Sequence, residues 1–85
     1  MWNRIKNHEG ETFHTVSGLP FTYKVIDDNT IRPYRDDKPM WNITIENLEK
    51  ALTMLNASKA DFNRTILAPS YTRALLLDPR INSNK

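Results

Sequence analysis

The sequence of 85 residues contains no cysteine and only two glycines, Gly10 and Gly18. The lack of cysteine excludes a disulfide scaffold, a thiolate zinc site and thiol catalysis. Two isolated glycines exclude the usual glycine-rich loops that bind phosphate. No apolar run approaches the roughly 18 residues of a membrane span. We therefore expect no secretory signal, no membrane partner and a cytoplasmic location.

Charge of neither sign dominates, since twelve basic and ten acidic residues give a formal net charge of +2. Such a balance is not by itself a nucleic-acid signature, so any case for nucleic acid depends on how the charges are distributed. Hydrophobic residues make up 39% of the chain, which is enough for one compact core. We expect a single folded domain over residues 1–85.

The first part of the chain predicts a short helix and then a sheet. Residues 1–10 form the helix, and Gly10 ends it. A three-stranded antiparallel meander is expected over residues 11–35, because apolar and polar residues alternate there between short turn signals. The third strand, Thr30–Tyr34, contains Pro33, which cannot donate a hydrogen bond to a neighbouring strand. We therefore expect this strand to lie at the edge of the sheet.

The second half of the chain is predicted to be helical. A helix is expected over residues 44–56, because Thr44 is a good N-cap residue and apolar residues recur at the spacing of one helical face. These apolar residues are Ile45, Leu48, Leu52 and Leu55. A last helix is expected over residues 70–78, where a proline ends it, and a short helical turn over 59–63 precedes it. Residues 82–85 are expected to form a frayed tail.

These elements predict an α+β fold in which the three-stranded antiparallel meander packs against two or three helices. The expected core consists of the apolar residues on the inner faces of these elements. They are Phe13, Phe21, Tyr23, Val25, Ile31, Leu48, Leu52, Leu55, Phe62, Leu67 and Leu75. Without a disulfide, packing or a partner subunit must supply the stability of so small a domain.

The segment Thr30–Arg35, with the sequence Thr-Ile-Arg-Pro-Tyr-Arg, is the strongest candidate for a binding surface. It combines two guanidiniums with a phenol ring, and further basic and aromatic side chains lie near it in the sequence. The candidate nucleic-acid-binding residues are Lys24, Arg32, Tyr34, Arg35, Lys38 and Trp41. Guanidiniums bind phosphate oxygens in pairs, and an exposed ring stacks on a base. We therefore expect a non-enzymatic module that binds DNA or RNA through this part of the sheet.

Four aspartates lie on both sides of this segment: Asp27, Asp28, Asp36 and Asp37. They would either pair with the arginines or repel phosphate. A solvated edge strand or a protein contact explains the same residues without nucleic acid. In that interpretation, Tyr34 and Trp41 cover the apolar face of the helix that follows.

The last helix offers a second candidate surface. Leu75, Leu76 and Leu77 are consecutive, so one narrow helical stripe cannot bury all three. We expect Leu76, with Arg73 and Arg80, to form a contact for a protein partner or a second copy of the chain. The alternative function is therefore that of a protein-interaction or inhibitor module, whether or not the module is a homodimer. A helix wedged between other elements would bury the leucines instead.

Patterns for catalysis and metal binding are weak. The potential metal ligands at the start of the chain are His8, Glu9, Glu11 and His14. Their spacing follows no familiar ligand motif. The adjacent aspartates are typical of solvated turns, and no serine lies in a nucleophile elbow. We expect no enzyme activity, no metal and no cofactor.

Two segments resemble stretches of small uncharacterised bacterial domains, some of them associated with mobile elements. The segments run from Gly10-Glu11-Thr12-Phe13-His14-Thr15 to Phe21-Thr22-Tyr23 and from Ser70-Tyr71 to Leu77-Asp78-Pro79-Arg80-Ile81. Together they cover about half of the chain. The resemblance implies a compact α+β module and brings no activity with it. It also implies a role beyond packing for Tyr71, Asp78 and Arg80.

Overall fold

The computed structural model describes residues 1–82, which contain four helices and a five-stranded antiparallel sheet. In chain order the elements are α1 (Trp2–Asn7), β1 (Phe13–His14), β2 (Pro20–Asp27), β3 (Thr30–Arg35), β4 (Lys38–Pro39), β5 (Ile43–Thr44), α2 (Ile45–Thr53), α3 (Lys59–Thr65) and α4 (Pro69–Leu77). The predicted α+β class is confirmed. Apart from Asn82, the predicted tail lies outside the described residues. No helix within residues 1–82 combines the length and apolar character needed to span a bilayer.

The three predicted strands form a meander in the order β1, β2, β3, and two short strands extend it. Phe13 pairs with Phe21 between β1 and β2, and Lys24 pairs with Arg32 between β2 and β3. On its other side, β3 pairs first with β5 and then with β4 along its length. The strand with Pro33 therefore lies inside the sheet, and the prediction that it is an edge strand is wrong.

The hydrogen bonds of Pro33 explain how an interior strand accommodates a proline. Its carbonyl accepts a hydrogen bond from the Met40 backbone N–H at 2.8 Å, in the link between β4 and β5. In an extended strand the N–H and C=O of one residue point to the same side. The missing N–H of Pro33 therefore faces this link, where neither short strand pairs with it, so no ladder hydrogen bond is lost.

A two-residue turn joins β3 to β4. Asp36 and Asp37 adopt left-handed backbone conformations, with φ of 52° and 64°. Positive φ at both central residues is the signature of a type I′ turn, whose twist matches that of the flanking strands. Aspartate tolerates this conformation better than most residues. The charged segment from Asp36 to Pro39 therefore forms a tight hairpin with the end of β3.

The core lies between the inner face of the sheet and the helices. The predicted core residues that are buried are Phe13, Phe21, Tyr23, Ile31, Leu48, Phe62 and Leu75. Val25 and Leu55 are half-buried against them. The core also contains residues that the sequence analysis did not assign to it: Ile5, Ile43, Ala51, Ile66, Ala74, Leu76 and Ile81.

Two predicted core residues are on the surface, since Leu52 is 44% exposed and Leu67 is 67% exposed. Helix α2 instead buries the side formed by Asn47, Leu48 and Ala51. The side-chain amide of Asn47 donates to the Leu67 carbonyl and accepts from the Leu67 N–H, both at 3.0 Å. These bonds satisfy a buried polar group. The apolar spacing alone could not reveal a helix face that is buried around an asparagine.

Side-chain caps begin two of the helices, and the cap at Thr44 is the one that was predicted. The Thr44 hydroxyl accepts a hydrogen bond from the Asn47 N–H at 3.2 Å, at the start of α2. The Ser58 hydroxyl accepts one from the Asp61 N–H at 3.1 Å, at the start of α3. Each bond satisfies a backbone donor that the first helical turn leaves free.

Tyr23 attaches the amino-terminal helix to the sheet. Its hydroxyl donates a hydrogen bond of 2.6 Å to the Ile5 carbonyl in α1. Burial raises the pKa of the Tyr23 phenol, because a phenolate in the core would lose its hydration. The helices and this phenol lie on the inner side of the sheet, so the opposite side of β2 and β3 faces away from the core.

Candidate nucleic-acid interface

Lys24, Arg32 and Tyr34 lie on the side of the sheet that faces away from the core, here called the outer face. Successive residues of a strand alternate between its two faces. Tyr23 in β2 and Ile31 in β3 are buried in the core, so their neighbours point outward. Lys24 is directly opposite Arg32 in the β2–β3 register. Tyr34 lies on the same face, two residues beyond Arg32.

The ammonium group of Lys24 lies over the Tyr34 ring, 5.3 Å from its centre. This distance is within the range of a cation–π interaction. The residues are diagonal neighbours on adjacent strands, which is within reach of long side chains. The contact holds a cation and an aromatic ring in one patch. Lys24 also faces the like charge of Arg32 across the strands, and an anion bound between them would offset that repulsion.

Arg32 and Trp41 border an open depression beside this patch. Together with Pro39 and Met40 they line a volume of about 460 Å³. The Nε–H of Arg32 donates to the Asn42 side-chain oxygen at 2.7 Å, which orients the guanidinium and uses one of its five N–H donors. Trp41 is 81% exposed. A large ring that is so little buried contributes little to the core and presents its face to solvent.

The other two basic residues of the predicted surface lie elsewhere. Arg35 and Lys38 pair with each other where β3 turns into β4. They occupy the alternate positions of their strands and so face the opposite side of the sheet from Arg32 and Tyr34. The structure therefore brings Lys24 and Trp41 together with Arg32 and Tyr34. It separates Arg35 and Lys38 from this group at the hairpin.

The neighbouring aspartates act as turn formers. The carboxylate of Asp27 accepts a hydrogen bond from the Asn29 N–H at 2.8 Å in the β2–β3 turn, and Asp36 and Asp37 form the β3–β4 turn. These turns lie at opposite ends of β3. The ion pairs within residues 1–82 include none of the basic residues of the predicted interface. The first of the two alternatives, pairing of these four aspartates with Arg32 or Arg35, is therefore absent within residues 1–82.

Leu76, which was predicted to form a protein contact on the last helix, is not accessible. This side chain is 1% exposed and belongs to the core, so the prediction that it is accessible is wrong. Helix α4 packs against α2 and also against β1, and it therefore buries more than one narrow stripe. Leu77, which is 48% exposed, is the leucine of this run that reaches solvent.

The two arginines assigned to that surface contact the protein itself. Arg80 forms ion pairs with Asp78 at 3.0 Å and with Glu11 at 3.1 Å. The Arg73 guanidinium lies over the Phe62 ring, 5.2 Å from its centre. Both side chains are half-buried. Arg80 thus has an internal structural role, whereas Arg73 lines a separate cavity between the β1–β2 turn and the helices α3 and α4.

The histidine and glutamate residues near α1 form local contacts. His8 Nδ1 lies 2.9 Å from the Glu11 carboxylate, and Glu9 accepts a hydrogen bond from the Val25 N–H at 2.9 Å. The hydrogen bond from His8, with a further one from Arg80, lowers the pKa of the Glu11 carboxyl. Within residues 1–82, no three potential ligands of this kind converge on a common point.

Three residues beside Arg32 were not predicted from the sequence. Pro39 and Met40 complete the depression, and Asn42 accepts the hydrogen bond from Arg32. Their proximity depends on β4 and β5 folding back against β3, and strands of two residues give no periodic signal. The clue was the pair Asp36-Asp37, since aspartate at both turn positions is compatible with a tight hairpin.

Comparisons with protein-family models, curated proteins and solved structures found no match to this chain.

Proposed function

We propose that this chain is a non-enzymatic module that binds single-stranded nucleic acid on the outer face of its sheet. The observation that carries the proposal is the alignment of Lys24, Arg32 and Tyr34 on one face beside the exposed Trp41. Cations and aromatic rings on a shared surface are what a strand of nucleic acid requires, because it offers phosphates and bases in alternation.

Each side chain has a defined part in this mechanism. Arg32 bonds phosphate oxygens through its free N–H donors, and Lys24 adds a mobile positive charge. Trp41 stacks on one base and Tyr34 on a neighbouring one. Stacking tolerates any base, so we expect little sequence preference. A single strand fits better than a duplex, because a duplex hides the faces of its bases inside the helical stack.

The expected affinity is modest. Lys24 and Arg32 supply two phosphate contacts, with Arg35 and Lys38 available to a strand that extends around the β3–β4 hairpin. Non-specific binding of this kind has dissociation constants of roughly 10⁻⁴ to 10⁻⁶ M at physiological salt. Each stacked base contributes about 1–3 kcal/mol. The aromatic residues therefore account for a large share of the binding.

Fluorescence of Trp41 tests the proposal directly. The chain has two tryptophans, so a Trp2→Phe background isolates the exposed one. We expect titration with oligothymidylate or oligouridylate to quench the Trp41 emission and to saturate. In wild-type background, Trp41→Ala and Arg32→Gln should each weaken binding by about tenfold, measured by anisotropy of a labelled oligonucleotide.

Lys50→Ala is the matched control for the basic residues, since Lys50 is an exposed lysine on α2 and lies away from the outer face. This variant should bind like wild type. Trp41 is mostly exposed, so its replacement should leave the fold intact. If Trp41→Ala and Arg32→Gln bind the oligonucleotide as tightly as the Lys50→Ala control, the outer face is not the interface.

A protein contact is the second candidate function. It is supported by Leu67 and Leu77, which are 67% and 48% exposed. Leu67 lies two residues before the start of α4, and Leu77 is the last residue of this helix. The helix between Pro69 and Leu77 rises by about 12 Å at 1.5 Å per residue, so these two leucines do not make one continuous apolar patch. Light scattering at high protein concentration tests the homodimer, and a monomer counts against it.

A further inference from the structure

A second cavity, of about 360 Å³, lies between the turn that joins β1 to β2 and the helices α3 and α4. Lys59 and Arg73 give it two positive charges. Ser17 and Ser70 are among the hydroxyl groups that line it, and its lining, all within residues 1–82, includes no aspartate or glutamate. A concave site with two cations, several hydroxyls and no carboxylate favours an anion.

Arg73 carries an unused hydrogen-bond donor. Its Nη1 is buried and has no hydrogen-bond partner within residues 1–82. The guanidinium rests over the Phe62 ring, a contact that holds the charge close to the core. A buried donor without an acceptor is unfavourable and rare in folded proteins. Arg73 also lines the cavity, so an anion bound there is the acceptor that this donor lacks once the side chain turns toward it.

The first turn of α4 adds to the positive character of the cavity. Pro69 and Ser70 line it, and they are the first two residues of this nine-residue helix. The preceding residue, Ala68, provides no side-chain cap. Proline has no backbone N–H, so the first such donor of α4 belongs to Ser70. The first backbone N–H groups of a helix lack intrahelical acceptors, and the helix dipole favours negative charge near them.

We propose that this cavity binds the phosphate group of a small phosphate monoester. Arg73 bonds two phosphate oxygens, Lys59 supplies a second charge, and the Ser70 hydroxyl donates to a third oxygen. Val16 and Pro69 form an apolar part of the lining. A free phosphate would leave most of the volume empty, so the apolar part fits the carbon body of an ester.

Nuclear magnetic resonance titration of the ¹⁵N-labelled protein tests this site with three probes. They are inorganic phosphate, butyl phosphate and butanol, each added at constant ionic strength with chloride as the balancing anion. We expect both phosphates to shift the amide signals of Ser17 and Ser70 and to saturate, with butyl phosphate binding more tightly. Equal affinities would assign the site to free phosphate and overturn the ester. No saturable shift from either phosphate would overturn the site itself.

Substitutions then locate the site. Arg73→Gln should weaken phosphate binding by about tenfold or more, since it removes a charged pair of hydrogen bonds. Because Arg73 also contacts the core, Lys59→Ala serves as a second variant at an exposed position. Arg64→Ala is the control, since Arg64 lies on α3 like Lys59 but pairs with Asp61 outside the cavity. Unchanged binding in both cavity variants would contradict the proposal.

This cavity and the outer face of the sheet can fail independently. Arg32→Gln should leave the phosphate-induced shifts of Ser17 and Ser70 unchanged, because Arg32 does not line the cavity. Conversely, Lys59→Ala should leave oligonucleotide binding on the outer face unchanged. If Arg32→Gln abolishes the phosphate shifts, the anion binds on the sheet and the cavity has no separate role.

Discussion

The guanidinium carbon of Arg80 lies 3.8 Å from the centre of the Phe13 ring. The same guanidinium donates to both carboxylate oxygens of Asp78 at 3.0 Å, to the Glu11 carboxylate at 3.1 Å and to the Thr12 carbonyl at 3.0 Å. These contacts join the segment after α4 to β1 and to the residues before it. Arg80 therefore acts as an internal clamp over a core aromatic residue.

Replacing Arg80 should reduce the free energy of unfolding. Arg80→Ala removes the cation–π contact and the charged hydrogen bonds, for an expected loss of about 2–4 kcal/mol. Arg80→Lys keeps the charge but not the paired geometry, and should lose about 1–2 kcal/mol. Urea denaturation measures both. Arg64→Ala, at an exposed ion pair, should change stability by less than about 0.5 kcal/mol, and an equally small effect of Arg80→Ala would contradict the clamp.

The clamp also predicts that acid destabilises the protein. The Arg80 side chain lowers the pKa of Asp78 from its ordinary 3.8, and His8 together with Arg80 lowers that of Glu11 from 4.5. The unfolded carboxyls therefore take up protons at a higher pH than the folded ones. Stability from these groups is present above about pH 5 and is lost as the pH falls through their folded pKa values.

Urea denaturation at a series of pH values, roughly from pH 6 to pH 2, checks this dependence. Asp78→Asn should flatten the decline in stability, because its side chain no longer titrates. Asp28→Asn is the control, since Asp28 is exposed in the β2–β3 turn, and its pH profile should match wild type. A profile for Asp78→Asn that is as steep as that of the control would contradict the assignment.

Asn47 should be among the polar residues that matter most for stability. Its amide bonds the Leu67 backbone in both directions and lies 3.4 Å from the Thr72 hydroxyl. Asn47→Ala leaves the Leu67 N–H without its acceptor, whereas the Leu67 carbonyl keeps the hydrogen bond from the Thr72 hydroxyl, so we expect a loss of about 1–2 kcal/mol. Asn56→Ala, at an exposed position, should change stability little. Thermal or urea unfolding of the two variants measures the difference.

Asp37→Gly should stabilise the β3–β4 hairpin. The residue has φ of 64°, where glycine is unstrained, and Asp-Gly is a preferred type I′ turn. Part of the gain is offset by the larger entropy of the unfolded chain, so we expect about 0.5 kcal/mol. A loss of stability in this variant would contradict the turn assignment.

The same substitution bears on nucleic-acid binding, because it removes a carboxylate near the outer face. Two unit charges about 10 Å apart in water interact by about 0.4 kcal/mol, so the affinity for an oligonucleotide should rise roughly twofold at low salt. Glu46→Gln, an exposed carboxylate on α2, is the control for the change in net charge. An equal rise in that control would show that only the net charge matters.

Local signals predicted much of the fold. Alternation predicted β2 and β3, and the cap at Thr44 predicted the start of α2. The interior position of β3 was not predictable, because it depends on β4 and β5, which are too short for a periodic pattern. The inward face of α2 was misplaced for a different reason, since its burial includes the hydrogen-bonded Asn47 and not Leu52.

The candidate site was predictable in composition but not in arrangement. Residue types pointed to the basic and aromatic side chains, whereas the position of Lys24 opposite Arg32 on one face depends on the β2–β3 register. The separation of Arg35 and Lys38 follows from the same period once the hairpin is known. The use of Arg80 inside the protein could not be foreseen, because its partner Glu11 is 69 positions away in the sequence.

The salt dependence of oligonucleotide binding tests the central proposal most directly. Plots of log affinity against log salt should be linear for wild type, and the double variant Lys24→Ala with Arg32→Ala should have a slope smaller by about 1.4, or about 0.7 per lost phosphate contact. The Lys50→Ala control should retain the wild-type slope. A double variant that binds with unchanged affinity and unchanged slope would contradict nucleic-acid binding on the outer face.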